Sequence, residues 1–406
     1  MKIRTALLST VAVAAAATTL AVPTTAQAEF GIGAPQASVT EMHESVLDQI
    51  QGRTFGWQLA IAQNGQLKIS ASDGTAVSQA DNNGNWVSMK PTQKMELASV
   101  TKNITAVATM KLLRRNGLTV ESLVWPYLPP LWNESNFKSV KFKHLLTHTS
   151  GINQAIMAMP EDQRPPDNTW KSMRIVVENG TKVNSQRQYK NANFAILRVV
   201  NAKLWKISGG SGYGPVSATN HTKYVLDYMR KYIFEPAGLF NIGCIPTSTT
   251  TGVRSYRLNS NQTSTGKVFG TNSDECAGAR GIALSSVQLL QYLVHLRHGS
   301  IINPADLATM DSLRAGWNED SNGGDGGENG VLNGLPDNPL SPGAYWHGGD
   351  LFDATTGGRE LHTCAMTFND GTEATLLINS AIGAADPGEG KTQCGILLTA
   401  WNNAKS

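Results

Sequence analysis

Residues 99–116 read Ser-Val-Thr-Lys-Asn-Ile-Thr-Ala-Val-Ala-Thr-Met-Lys-Leu-Leu-Arg-Arg-Asn. Val100, Ile104, Val107 and Ala108 recur at helical spacing, which predicts a helix with one apolar stripe. Asn116-Gly117 follows the basic run that starts at Lys111 and ends it. Ser99 opens this helix, and Lys102 lies three residues on, on the same face and within reach of the hydroxyl. A serine hydroxyl is a poor nucleophile until a base takes its proton. A lysine can be that base only if its pKa falls from about 10.4, through burial or nearby positive charge.

The spacing alone is weak evidence, because Ser-x-x-Lys also occurs at Ser135–Lys138 and Ser264–Lys267. Ser264 sits in the loop-like stretch Asn-Gln-Thr-Ser-Thr-Gly, and no helical pattern follows Ser135. Only Ser99 stands on a rigid apolar element.

On the N-terminal side, residues 38–50 carry Val39, Met42, Val46, Leu47 and Ile50 at helical spacing, with Ser38 or Thr40 as a cap. Strand-like runs at 55–62 and 67–71 flank Asn64-Gly65, a hairpin turn signal. On the C-terminal side a second hairpin is expected from 362–368 and 372–379, and a last helix over 391–403. Further helices are expected at 190–204, 221–234 and 285–297, and a Gly-rich surface loop at 316–334. The expected class is α/β in the α+β sense, a sheet assembled from both ends of the chain with a helical block inserted. Residues 29–98 and 297–406 would form the sheet with its terminal helices. Residues 99–296 would form the helical region, and a crevice would run where the two meet.

Two more motifs follow the serine. Tyr189-Lys190-Asn191 offers a phenol that can shuttle a proton and an amide that can donate to a substrate carbonyl. Trp346-His347-Gly348-Gly349 offers paired glycines on a strand, where a substrate backbone can come close. One N–H at the nucleophile and one on that strand would form an oxyanion hole.

The order Ser-x-x-Lys, Tyr-x-Asn, His-Gly-Gly resembles that of the penicillin-recognising serine hydrolases. These include class C β-lactamases, D-Ala-D-Ala carboxypeptidases, D-aminopeptidases and related esterases. Residues 144–151 (His-Leu-Leu-Thr-His-Thr-Ser-Gly), 233–239 (Ile-Phe-Glu-Pro-Ala-Gly-Leu) and the stretch from Ala277-Gly278 to Ser285 extend the likeness to about 38–380. The resemblance implies a β-lactamase/transpeptidase-like fold: an antiparallel sheet flanked by terminal helices, beside an all-α region. It also implies an acyl-enzyme mechanism. Ser99 would attack, Lys102 and Tyr189 would move the proton, and Asn191, Gly348 and Gly349 would line the substrate. The backbone N–H groups of Ser99 and Asp350 would hold the oxyanion. His347 stands where relatives carry lysine, histidine or tryptophan, and would assist electrostatically. The chain has no Lys-x-Gly, which lowers the expectation of efficient antibiotic hydrolysis. A carboxylate at Asp350 would oppose a developing oxyanion, unless strand alternation turns it away.

Composition narrows the setting. The chain has 406 residues, 40% hydrophobic and 16% charged, which suits a folded core. Residues 1–28 read as an export signal: basic Lys2 and Arg4, an uncharged apolar run, and Ala26-Gln27-Ala28 for cleavage. The mature protein is expected outside the cytoplasm with no stable membrane anchor. Loss of Lys2 and Arg4 takes the formal charge from +3 to +1, which gives no case for nucleic acid. Cys244, Cys276, Cys364 and Cys394 are expected to pair in an oxidising compartment. Three pairings are possible, and sequence neighbours, 244–276 and 364–394, are the expected ones. Their spacings fit no zinc motif, and His144 and His148 lack the glutamate of a zincin, so neither metal nor cofactor is expected. No Gly-x-Ser-x-Gly elbow occurs. A carboxylic ester or a D-amino-acid peptide is the expected substrate. A β-lactam, or non-catalytic binding of wall peptides, is the alternative.

Overall fold

The computed structural model describes residues 36–183, 186–299, 301–318, 344–353, 358–383 and 392–405. The leader expected at 1–28 and most of the loop expected at 316–334 lie outside the described residues.

Helix α1 (Val39–Ile50) starts at Ser38, whose hydroxyl accepts from the Glu41 N–H. Strands β1 (Gly56–Gln63) and β2 (Gln66–Val77) form a hairpin through Asn64 (φ 53°) and Gly65 (φ 74°). Asn-Gly tolerates positive φ at both central positions, which a two-residue turn between twisted strands needs. Strands β3 (Val87–Ser88) and β4 (Met95–Glu96) lead to α2 (Thr101–Arg115).

Helices α3 (Phe142–Leu146), α4 (Ile152–Ala158), α5 (Trp170–Asn179), α6 (Asn191–Ile207) and α7 (His221–Met229) follow. After α7 come β5 (Gly243–Cys244), β6 (Ile282–Leu284), α8 (Ser286–Arg297) and α9 (Pro304–Leu313). The chain closes with β7 (Ala344–Asp353), β8 (Arg359–Phe368), β9 (Thr372–Ile378) and α10 (Gln393–Asn403).

The main sheet has the order β3-β2-β1-β9-β8-β7, with every pair antiparallel. β1 lies against β9 from Trp57↔Ile378 to Gln63↔Thr372, so the two ends of the chain meet in the middle of the sheet. Alternation sorts the side chains of β1. Trp57, Leu59 and Ile61 enter a core with Met42, Val46 and Trp401 under α1 and α10. Ala60 and Ala62 face the other way, against Leu290 and Val294 of α8. The small alanines let that helix approach closely.

α2 differs from expectation. It is buried from Thr101 through Met110, not along one stripe. Most of its polar side chains find partners: Thr105 and Thr109 donate to the Thr101 and Thr105 carbonyls, and Asn103 accepts from the Tyr292 hydroxyl, while the buried Thr101 hydroxyl has none. The helix can therefore carry polar residues through the middle of the protein. Short strands β4, β6 and β5 form a second sheet in that order, which no periodicity announced. Cys244 is bonded to Cys276, and Cys364 to Cys394.

Candidate active site

Ser99 sits in a single 3-10 turn, Ala98–Val100, that feeds α2. Ala98 before it is fully buried with φ 48°, a left-handed conformation unusual for alanine. Such a conformation persists only where neighbours over-determine it. Here Leu97 N–H donates to Ile282 O at 2.8 Å, and Thr363 Oγ1 donates to Leu97 O at 2.7 Å. The turn is thus held by β6 on one side and β8 on the other.

One helical turn on, Lys102 is fully buried, with Nζ 2.8 Å from Ser99 Oγ and 2.9 Å from Ala279 O. Burial, then the positive charge of Arg280, holds its pKa well below the usual lysine range. Arg280 itself is clamped by the buried Glu96 through two bonds of 2.9 Å. Glu96 thus answers the guanidinium, and Lys102 faces only neutral acceptors at hydrogen-bond distance. The result is an amine whose neutral, proton-accepting form is favoured by its surroundings.

Tyr189 OH lies 2.8 Å from the same Ser99 Oγ, and the lysine Nζ stands 4.8 Å from the centre of its ring. His148 props this tyrosine. Its ring packs 4.6 Å from the Tyr189 ring, its Nδ1 accepts from Lys190 N–H at 3.2 Å, and its carbonyl accepts from Gln188 N–H. Burial, Arg187 and Lys102 keep His148 neutral, well below the usual histidine pKa, as an accepting Nδ1 requires. Asn193 supports it at 3.1 Å and is in turn held by Ser150 Oγ at 2.5 Å. Asn191 is the first residue of α6, and its buried Oδ1 has no hydrogen-bond partner.

Strand β7 closes the site from the sheet side, and it sorts its residues by parity. Gly349 faces Ser99: a Cβ there would fall 2.5 Å from Leu97 O and Thr363 Oγ1, and 2.9 Å from Ser99 N. Only glycine lets the strand and the nucleophile turn touch backbone to backbone. His347 is on the same face and buried, with Nδ1 2.6 Å from Gly348 O. Burial, then Lys102, lowers its pKa to about 3, so it is neutral. It can donate or accept a hydrogen bond, but it brings no positive charge. Gly348 and Asp350 belong to the opposite face, where Gln393 Nε2 reaches Asp350 Oδ1 at 3.1 Å. Among the described residues β7 is the sheet edge, so alternate N–H groups there have no strand beyond them to bond.

The structure therefore brings Ser99, Lys102 and Tyr189 into direct contact and seats Gly349 against them. It turns the side chain of Asp350 away. Sequence reasoning missed Ala279, Glu96, Arg280 and Thr363, and it weighed His148 only as a metal ligand, which it set aside. Ala279 acts through its carbonyl, which has no side-chain signature. The His148 stretch was visible, but its aim at Tyr189 was not.

A family model described as Beta-lactamase matches residues 36–360. The chain is 23% identical over 212 residues to PbpX of Bacillus subtilis (strain 168), named a penicillin-binding protein, covering 52% of this chain and 47% of that one. Over 121 residues it is 31% identical to the esterase EstB of Burkholderia gladioli, covering 29% of this chain and 30% of EstB. The matches thus span less than half the length of either relative. The octameric penicillin-binding protein homologue from Pyrococcus abyssi shares the fold, with TM-score 0.59 and 18% identity over 89% of this chain and 76% of that one.

Proposed function

The chain belongs to the beta-lactamase family, and from that premise we propose that it is a serine hydrolase that cleaves carboxylic esters or D-amino-acid-containing peptides through an acyl-enzyme on Ser99. Lys102 takes the Ser99 proton as Oγ bonds to the substrate carbonyl carbon. The backbone N–H groups of Ser99 and Asp350 receive the oxyanion. Tyr189, on the same oxygen, passes a proton to the leaving alcohol or amine as its bond to the carbonyl carbon breaks. The proton on Lys102 returns Tyr189 to the phenol; water then attacks the acyl carbon and gives one proton to Lys102, which passes it to Ser99 Oγ as the bond from Oγ to the acyl carbon breaks, so the acid leaves with all three side chains restored. Asn191, at the start of α6, offers its amide N–H to a carbonyl of the substrate, and His347 lends a neutral polar edge to the cleft.

The observation that carries this reading is the meeting of two proton-transfer groups on one hydroxyl, Lys102 Nζ and Tyr189 OH, each 2.8 Å from Ser99 Oγ. A binding module has no need of that pair. The two disulfides support action outside the reducing cytoplasm, and they go with the export signal read in residues 1–28. The test is intact-mass analysis after exposure to a p-nitrophenyl ester, a D-Ala-D-Ala peptide and a penicillin. An acyl adduct from the ester or the peptide, absent in Ser99→Ala, is expected. Wild-type turnover by Ser99→Ala would overturn the assignment.

A further inference from the structure

Behind the cleft lies a second charged cluster. Asp350 on β7 and His362 on β8 are cross-strand partners, and His362 Nδ1 is 2.5 Å from Asp350 Oδ1. The other ring nitrogen, Nε2, is 2.8 Å from Glu360 Oε2. Both nitrogens of one imidazole meet carboxylates, and only the doubly protonated ring can donate to both. Gln393, at the start of α10, adds its amide to Asp350 Oδ1 at 3.1 Å and to Thr363 O at 3.1 Å. Although burial alone would lower it, hydrogen bonds to Asp350 and Glu360 and their charges raise the His362 pKa to about 9. The charged groups acting on His362 are thus Asp350 from β7 and Glu360 from β8, while Gln393 from α10 is neutral.

We propose that His362 is a positioning residue for the reaction: its imidazolium pins and neutralises the Asp350 carboxylate on the far face of β7, so that the backbone N–H of the same residue can serve an oxyanion. This rests on the reading of Asp350 N–H as an oxyanion donor. An acidic side chain one residue from developing negative charge would otherwise raise the barrier of acylation, because field effects of this kind act on the transition state. The clamp therefore acts on kcat and leaves ground-state binding nearly unchanged.

The experiment is a double-mutant cycle on the full chain, read by steady-state hydrolysis of a p-nitrophenyl ester at pH 7. In the presence of Asp350, His362→Ala is expected to lower kcat at least tenfold with KM changed less than threefold. In the Asp350→Asn background the same substitution is expected to cost less than threefold, because the carboxylate on the donor residue itself is gone and the one still unmasked, Glu360, lies across from Phe352 rather than from the donor. A role confined to folding would give equal costs in both backgrounds, and that result overturns the proposal, as does an unchanged kcat in His362→Ala. If the alanine variant does not fold, the cycle is run with His362→Gln, with a kcat loss of at least threefold that vanishes beside Asp350→Asn. Ser99→Ala is measured alongside. If it is inactive while the cycle shows no coupling, the clamp fails and the hydrolase reading stands. If it is fully active, that reading fails first.

Discussion

The two faces of the β7–β8 hairpin carry one histidine each, and the two are opposite in charge state. His347 faces Ser99, has a carbonyl beside it and the amine of Lys102 nearby, and is held neutral with a pKa of about 3. His362 faces α10, sits between two carboxylates, and stays charged up to about pH 9. Burial disfavours the charged form of both rings, so burial does not set them apart. What separates them is the set of partners that strand parity gives each one. At the site β7 thus presents a neutral histidine to the reacting atoms, while the ion pairs of His362 lie on the opposite face.

The strongest way to break this contrast is on the front face. Lys102→Ala should reduce labelling of Ser99 by a fluorophosphonate by about 10²–10⁴-fold, the usual worth of a positioned general base. Undiminished labelling would mean that the buried amine is a bystander. Arg280→Met should raise the Lys102 pKa and move the rising limb of the pH–rate profile toward higher pH. A profile that stays in place would show that burial alone sets the amine.

The glycines test the parity itself. Gly349→Ala puts a methyl 2.5 Å from Leu97 O, whereas at Gly348 the nearest atom would be 3.4 Å away, an ordinary contact. The first substitution should lower kcat/KM at least about tenfold more than the second, because it parts the strand from the nucleophile turn and misplaces the reacting groups. Equal effects would erase the distinction between faces.

The histidines make smaller, opposite contributions to stability. His362 has a folded pKa raised to about 9 against about 6.5 unfolded. Its stabilisation is complete below about pH 6.5 and is lost as pH rises through about 9, on the order of 3 kcal/mol. His347, lowered to about 3, favours the folded state above about pH 6.5 and works against it as pH falls toward 3. Denaturant unfolding across pH should show a flatter alkaline side in His362→Gln and a flatter acid side in His347→Gln. The opposite assignment would refute the charge states. The smallest effect is Thr363→Val, which removes the hydroxyl bond to Leu97 O and should cost about 1 kcal/mol. Calorimetry would read it.

Much of the frame was legible because its signals are local. Ser38 capping α1, Asn64-Gly65 turning β1 into β2, and the helical spacing after Ser99 need only near neighbours. Strands β4, β5 and β6 have two or three residues each and no period to detect. Of the site, Ser99, Lys102 and Tyr189 could be picked out as residue types in order. The agents that tune them could not. Ala279 O, the Glu96–Arg280 pair and Thr363 lie about 180 to 270 residues from their partners. Only tertiary closure brings them in, and pattern reading within a short window does not reach that far. The state of His347 is out of reach for the same reason, since its neutrality depends on burial and on Lys102.

The pairing of β1 with β9 bears on the order of events when the chain is made. The second hairpin is needed to seat the first, and residues 57–63 have no neighbour on one side until residues 372–378 are present. The Ser99 turn likewise waits for Gly349 and Thr363. Such distant closures are slow relative to helix formation, and a nascent chain lacking its final strands has no half-built version of the centre to work with. Enzymatic activity in this protein would then be a late reporter of maturation, arising only once both ends of the polypeptide have come together.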